Sequence, residues 1–244
     1  MTGGKDLNGE LAFRFRNQGF KVGPEGRYYM GNTSVTGGPP DGQEASYIKH
    51  IYGPGASVSG WIKAKGVTYN MDGTGLFIHA QSDMKPYTVA DKWHFAFFAG
   101  EDVILNMLQF KTLAKAGSVR VNKGSFTEGG QVRAVTIGNQ IETSDFQHDN
   151  VSGYDVAGHV VYAWEGQTVD GKPFQAKIEV DSTNLISRID ILHQLPYFVR
   201  KIIQALITKP FIYEWYDTAM ATITVDGEVR KISGKIFHEA TMLQ

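Results

Sequence analysis

Trp93 to Lys111 reads WHFAFFAGEDVILNMLQFK. Two apolar runs, 93–99 and 103–111, flank Gly100-Glu101-Asp102, a connection of hairpin length. Each run is rich in the aromatic and branched residues that suit a pleated face. The pattern continues downstream. Strands are expected at 117–123 and 131–138, and AGHVVYAWEG (157–166) pairs with KPFQAKIEV (172–180) across a turn holding Asp170-Gly171. Asp226-Gly227 is a second hairpin signal, between MATITV and EVRKISGKIF. Upstream, 56–63, 67–71 and 75–81 alternate as strands, with turns at 65–66 and 71–73. Residues 23–46 are rich in Gly, Pro and Ser and read as an irregular connection, and 140–156 reads as a polar surface loop. Only 195–208 has helical spacing. Phe198, Ile202 and Leu206 with Val199 and Ile203 form one apolar face, Pro196 suits a first turn, and Lys209-Pro210 ends it. About a dozen antiparallel strands and one helix predict an all-β class, as a closed or nearly closed antiparallel β-barrel with the helix packed outside, because closure removes sticky edges.

Composition narrows the chemistry. The 244 residues carry 24 Lys+Arg against 25 Asp+Glu, a net charge of −1, so no nucleic-acid partner is expected. The chain has no Cys, which removes disulfides, thiol nucleophiles and thiolate metal sites. The seven His lack His-x-His or His-x-x-x-His spacing, no Gly-x-Ser-x-Gly elbow is present, and no GxGxxG follows a strand. Neither a metal nor a cofactor is expected. Residues 1–20 hold no apolar run of signal-peptide length, and no window reaches the ~20 apolar residues of a membrane span. The expected location is cytoplasmic.

Several stretches carry a family likeness. DGTGLFIHAQSDMKPYTVADKWHFAFFAGEDVILNMLQF (72–110), DGKPFQA (170–176), LISRIDILHQLPYFVRKI (185–202), KPFIYEW (209–215) and FHEATML (237–243) resemble the fungal survival factor 1 family. That resemblance implies a lipocalin-like fold from a set of two-lipocalin-domain proteins linked to oxidative-stress survival and ceramide transport. It implies a shortened member: 1–100 as N-terminal strands left from a first barrel and 101–244 as a C-terminal barrel, or the two merged in one domain. Several polar positions depart from the family pattern. The chain has Gly53-Pro54-Gly55 for Trp-Pro-Arg, Gln81-Ser82-Asp83 for Leu-Gln-Gly, Tyr87 for His, and Lys92-Trp93-His94-Phe95 for Arg-Trp-Asn-Phe.

A retained framework with exchanged polar residues suits a new ligand or a new reaction on an old scaffold. His79, Asp83 and His94 are the candidate catalytic groups, as side chains able to move a proton or polarise a carbonyl. Phe77, Lys85, Tyr87, Trp93, Trp164, Tyr213 and Trp215 are the candidate ligand-binding residues, although core packing is the commoner fate of such aromatics. The expected partner is a hydrophobic small molecule or lipid. A cofactor-free cyclase or isomerase, pericyclase-like, is the leading expectation by fold-level analogy, and a non-enzymatic lipid or ceramide carrier is the alternative. A homodimer is left open, and membrane contact is at most peripheral, because packing on the barrel should consume the helix's apolar face. Exhaustive chelation should leave ligand binding unchanged. Loss of binding that zinc or iron restores would show that the scattered His converge on folding.

Overall fold

The computed structural model describes residues 7–40 and 45–243. A first sheet is built around one long strand. Around β4 (Tyr47–Ala64) lie β1 (Leu7–Phe15), β2 (Phe20–Lys21), β3 (Arg27–Tyr29), β5 (Val67–Asn70) and β6 (Gly73–Ser82), each paired antiparallel with it. β4 can serve both of its edges along such a length because it kinks at Gly53-Pro54-Gly55. The ladder with β6 slips between Pro54 and Ala56, where Pro lacks an N–H to donate and Gly55 takes φ 82°, a conformation that L side chains resist.

The second sheet holds β7 (Ala90–Gly100), β8 (Val103–Thr112), β9 (Arg120–Glu128), β10 (Gln131–Thr136), β11 (Gln140–His148), β12 (Asp155–Gln167), β13 (Pro173–Asp181), β14 (Leu185–Asp190), β15 (Phe211–Val225) and β16 (Glu228–Met242). Its order is β10-β9-β8-β7-β16-β15-β13-β12-β11, with β14 added on β15. The hairpins follow from the turns. Asp226 and Gly227 take φ 53° and 85°, the two positive angles of a tight turn matched to strand twist, and Val225 faces Glu228 across it. The segment 140–148, expected as loop, is strand β11: it pairs with β12 along its length but lies at the end of the sheet and is mostly exposed, so it carries no apolar face for a sequence reading to detect.

The expected closure is not completed. β10 and β11 are neighbours in sequence but do not pair, and only an isolated bridge, Ala134 to Thr168, crosses the gap among the described residues. Asn139 laces the seam with side-chain bonds instead. Its Nδ2 donates to Asn122 Oδ1 and, at 3.2 Å, to Thr136 O, and its Oδ1 accepts from Glu165 N at 3.4 Å. Inside lies the core: Phe98, Leu105, Met107, Phe126, Tyr162, Trp164, Phe174, Ile178, Ile223 and Ile236 are buried together.

The two sheets meet on the outer face of β7, β8 and β9, which explains why β8 and β9 are buried on both faces. Tyr28 and Ile48 of the first sheet pack with Phe110 and Val121 of the second, and Trp93 stacks on Phe110 at 4.9 Å. One charge is trapped in this junction. Lys123 is 1% exposed, and its Nζ donates to Gly26 O and Val22 O at 3.1 and 3.3 Å. Burial lowers its pKa to about 8, a depression corresponding to about 3 kcal/mol.

The helix α1 (Tyr197–Leu206) forms where expected, but its packing corrects the expectation. None of its residues is buried. Arg200 Nη1 and Gln204 Nε2 each lie 3.4 Å from Asp190 Oδ2, so the carboxylate that ends β14 draws in the polar edge of the helix and turns the apolar edge outward.

Lys123 yields a test. Between about pH 8 and its unfolded value near 10.4 the folded state binds fewer protons than the unfolded one, so stability rises with pH there. The urea midpoint should climb from pH 8 to 9.5, below the range where tyrosines ionise, and Lys123→Met should abolish that climb. An equal climb in the variant would show that Lys123 is not the group responsible.

Candidate functional site

Alternation along three adjacent strands builds the site. On β15 the inward series is Phe211, Tyr213, Trp215, Asp217, and on β16 it is Ile236, His238, Ala240, Met242, all buried. On β7 it is His94, Ala96 and Phe98. Register then sets neighbours: Trp215 faces His238, and His238 faces Ala96. Val160 and Tyr162 of β12 close the space from across the sheet, and with Lys92, His94, Ala157, Trp215, His238 and Met242 they enclose a cavity of about 10 Å³, room for about one water.

Aromatic rings form a ladder into this space. Phe211 and Tyr213 stack at 6.5 Å, Tyr213 and Trp215 at 5.9 Å, and Trp215 and His238 at 5.2 Å. Polar partners fix the ladder's two ends. At the outer end Tyr213 donates to Asp149 Oδ2 at 2.6 Å. Burial opposes ionisation of Asp149, but the bonds from Tyr213, Ser152 and two backbone N–H groups hold its carboxyl well below the usual carboxylate range, and Arg188 Nη1 pairs with it at 2.7 Å. At the inner end His238 Nε2 donates to Asp217 Oδ2 at 3.1 Å, which leaves Nδ1 to accept from the Tyr162 hydroxyl at 3.4 Å. Asp217 is itself held by Thr183 Oγ1 at 2.8 Å and Asn184 N at 3.0 Å. It also floors an open groove of about 630 Å³, where β15 passes from its pairing with β13 to its pairing with β14.

Of the groups that line the cavity the two imidazoles and the phenol are uncharged at neutral pH, and the ionisable Lys92 and Glu239 line it beside them. Burial, with help from Lys92 and His238, lowers His94 to about 3. Burial also lowers His238, against the pull of Asp217, and burial raises the Tyr162 phenol. His94 therefore offers one N–H and one lone pair, and Tyr162, its proton given to His238, offers a lone pair. Such a site can orient a neutral hydroxyl or amide.

The candidate residues separate into three places. His94 and Trp215 line the cavity and Tyr213 stands on the ladder behind Trp215. Trp164 lies in the sealed core, its Nε1 donating to Asn106 O at 2.9 Å, and Trp93 lies in the junction between the sheets. The rest are on the first sheet or the connection after it. Phe77 is exposed, edge-on to Phe15 at 6.3 Å, and His79 is exposed on the same strand. Asp83 accepts from Tyr47 N at 3.0 Å, and Lys85 caps a short turn by accepting from Thr88. Tyr87 is half-buried within that turn. The structure thus does not bring His79 and Asp83 to His94. Sequence pattern does not single out His238, Tyr162 and Asp217 as site residues, although counting eleven residues back from Asp226 and eleven on from Gly227 sets Trp215 opposite His238. Among the described residues no group of three His, Cys, Asp or Glu stands ready to hold a metal ion.

A sequence model of the Svf1 family matches residues 3–244. The chain belongs to the Svf1 family. It is 29% identical over 227 residues to the ceramide-binding protein svf1 of Schizosaccharomyces pombe, an alignment covering 92% of this chain and 58% of that protein. This Svf1-family chain therefore spans little more than half the length of that relative. Among solved structures, it is similar to CghA (TM-score 0.61, 8% identity, covering 98% of this chain and 62% of that one). It is also similar to kievitone hydratase from Nectria haematococca (TM-score 0.55, 9% identity, covering 99% and 63%). These likenesses establish a lipocalin-like fold, and at such identities they speak of the fold alone.

The buried imidazoles give the site a pH signature. His94 and His238 bind fewer protons folded than unfolded, so the stability they contribute is present above about pH 6.5 and is lost as pH falls below it. The melting temperature should drop between pH 6.5 and 4, and His94→Gln should flatten that drop by an amount equivalent to a few kcal/mol. An unchanged acid profile in the variant would show that His94 is solvated in solution.

Proposed function

We propose that this chain is a non-enzymatic carrier of a hydrophobic ligand with a neutral hydroxyl or amide head, of the ceramide class. The observation that carries the reading is the pairing of uncharged handles, the His94 imidazole and the Tyr162 phenol bonded to the His238 imidazole, with an aromatic and aliphatic wall. A buried hydroxyl or amide needs partners but no counter-charge. The relatives named for binding ceramide, such as that of S. pombe, support the choice of ligand class. A space of about 10 Å³ is far smaller than a lipid, so loading requires Trp215 and the ladder behind it to move aside.

Cyclase or isomerase chemistry, the competing reading, asks a proton donor and a proton acceptor of suitable pKa to touch one substrate. His79 and Asp83, which would supply them, lie on and just after β6, while His94 is held neutral within the second sheet. The carrier reading uses no such pair.

A fluorescent short-chain ceramide is a direct probe. Wild type should bind it, Trp215→Ala should weaken binding about tenfold as loss of a buried aromatic anchor does, and His79→Gln and Asp83→Asn should bind as wild type. Mass spectrometry should return the lipid chemically intact. A converted product, or equal binding by Trp215→Ala, would refute the carrier reading at this site.

A further inference from the structure

Helix α1 is amphipathic and sits with the unexpected side out. Its polar edge meets the protein through Arg200 and Gln204 on Asp190, while Phe198 and Leu206 are each 78% exposed and Ile202 is 51% exposed. These three residues lie four apart and therefore share one stripe of the helix. The stripe does not stand alone. Ile191 before the helix, and Leu195 and Ile207 at either side of it, are also exposed. Exposed apolar residues gathered along one stripe of a helix and at its two ends mark a surface that something covers.

Charge identifies the occupant. Between 191 and 209 the ionised side chains are Arg200, Lys201 and Lys209, with no Asp or Glu; Asp190, just before, is neutralised by Arg200. Lys201 is exposed beside the apolar stripe, its ammonium 5.8 Å from the Tyr197 ring centroid. Apolar residues bordered by exposed aromatic and basic side chains match the depth profile of a bilayer surface: acyl chains, then glycerol, then phosphate. A second copy of the chain fits less well, because a two-fold contact would bring this basic-bordered face against itself with no Asp or Glu between 191 and 209 to pair its lysines.

We propose that α1, with the exposed apolar residues Leu195 and Ile207 at its two ends, is a docking face for an anionic lipid bilayer. Phe198, Ile202 and Leu206 sink below the headgroups, and Lys201 and Lys209 meet the phosphates. Docking there also orients the candidate site. Leu185 of β14 is paired with Trp215, and Thr208, just past the helix, donates to Leu243 O next to Met242 of the cavity wall. The aromatic ladder therefore starts from the docked side of the molecule. This inference goes beyond the carrier reading and does not depend on it, since vesicle binding and ceramide binding are measured separately.

The test is cosedimentation of the full chain with phosphatidylcholine vesicles, with and without phosphatidylserine. Wild type should partition onto the phosphatidylserine vesicles. Phe198→Glu with Leu206→Glu should cut that partition at least tenfold, since each carboxylate would have to enter the acyl region. Lys201→Gln with Lys209→Gln should remove the preference for phosphatidylserine. Both double variants should keep the wild-type melting temperature and still bind soluble short-chain ceramide, and a single Phe198→Trp should shift its emission to the blue on adding vesicles. Failure of wild type to bind vesicles, or equal binding by the glutamate variant, would overturn the proposal. A wild-type dimer that the glutamate variant makes monomeric, with vesicle binding unchanged, would also overturn it and assign the face to a second copy.

Discussion

Strand β16 is gripped on both edges, and its register is the constraint on which the interior depends. It pairs with β15 from Glu228 to Met242 and with β7 from Lys235 to Met242. Because side chains alternate with a period of two, a slip of one residue would turn His238 and Ile236 outward and bring Glu239 and Phe237 in. Glu239 already illustrates the penalty: burial and the nearby Glu214 raise its pKa even on the outer face. The tight turn at Asp226-Gly227 excludes that slip at one end, and the pairing with β7 excludes it at the other.

The strands themselves were legible because the turns that bound them are chemically explicit. The hairpin at 93–111 and those at Asp170-Gly171 and Asp226-Gly227 all formed as read. Residues 140–148 were missed because an exposed end strand buries no face and so shows no apolar alternation. The helix was placed correctly but its packing was not, since periodicity reports that a face is apolar and says nothing of which way it points. That direction was decided by Asp190, a single carboxylate one element away.

Legibility of the site followed the same division. His94 and Trp215 were found because each interrupts or anchors an apolar strand, but their shared cavity depends on pairings between residues more than a hundred positions apart. His79 and Asp83 have proton-moving side chains and lie near His94 in sequence. The chain passes from the first sheet to the second between Ser82 and Ala90, so nearness in sequence there does not become nearness in space. Tyr162 and Asp217 carried no local signal of their own; they matter because each completes the hydrogen bonding of His238.

The seam between β10 and β11 governs how the interior can change volume. A closed barrel has a circumference fixed by a continuous ring of backbone bonds, and enlarging it means breaking a row of them together. Here the ring is interrupted, and what spans the interruption among the described residues is one bridge and the amide of Asn139. Expansion at this seam is therefore the parting of two edges, which leaves the rows of backbone bonds on either side of it unbroken. A wall of this design is compliant in girth while each of its strands keeps its neighbours.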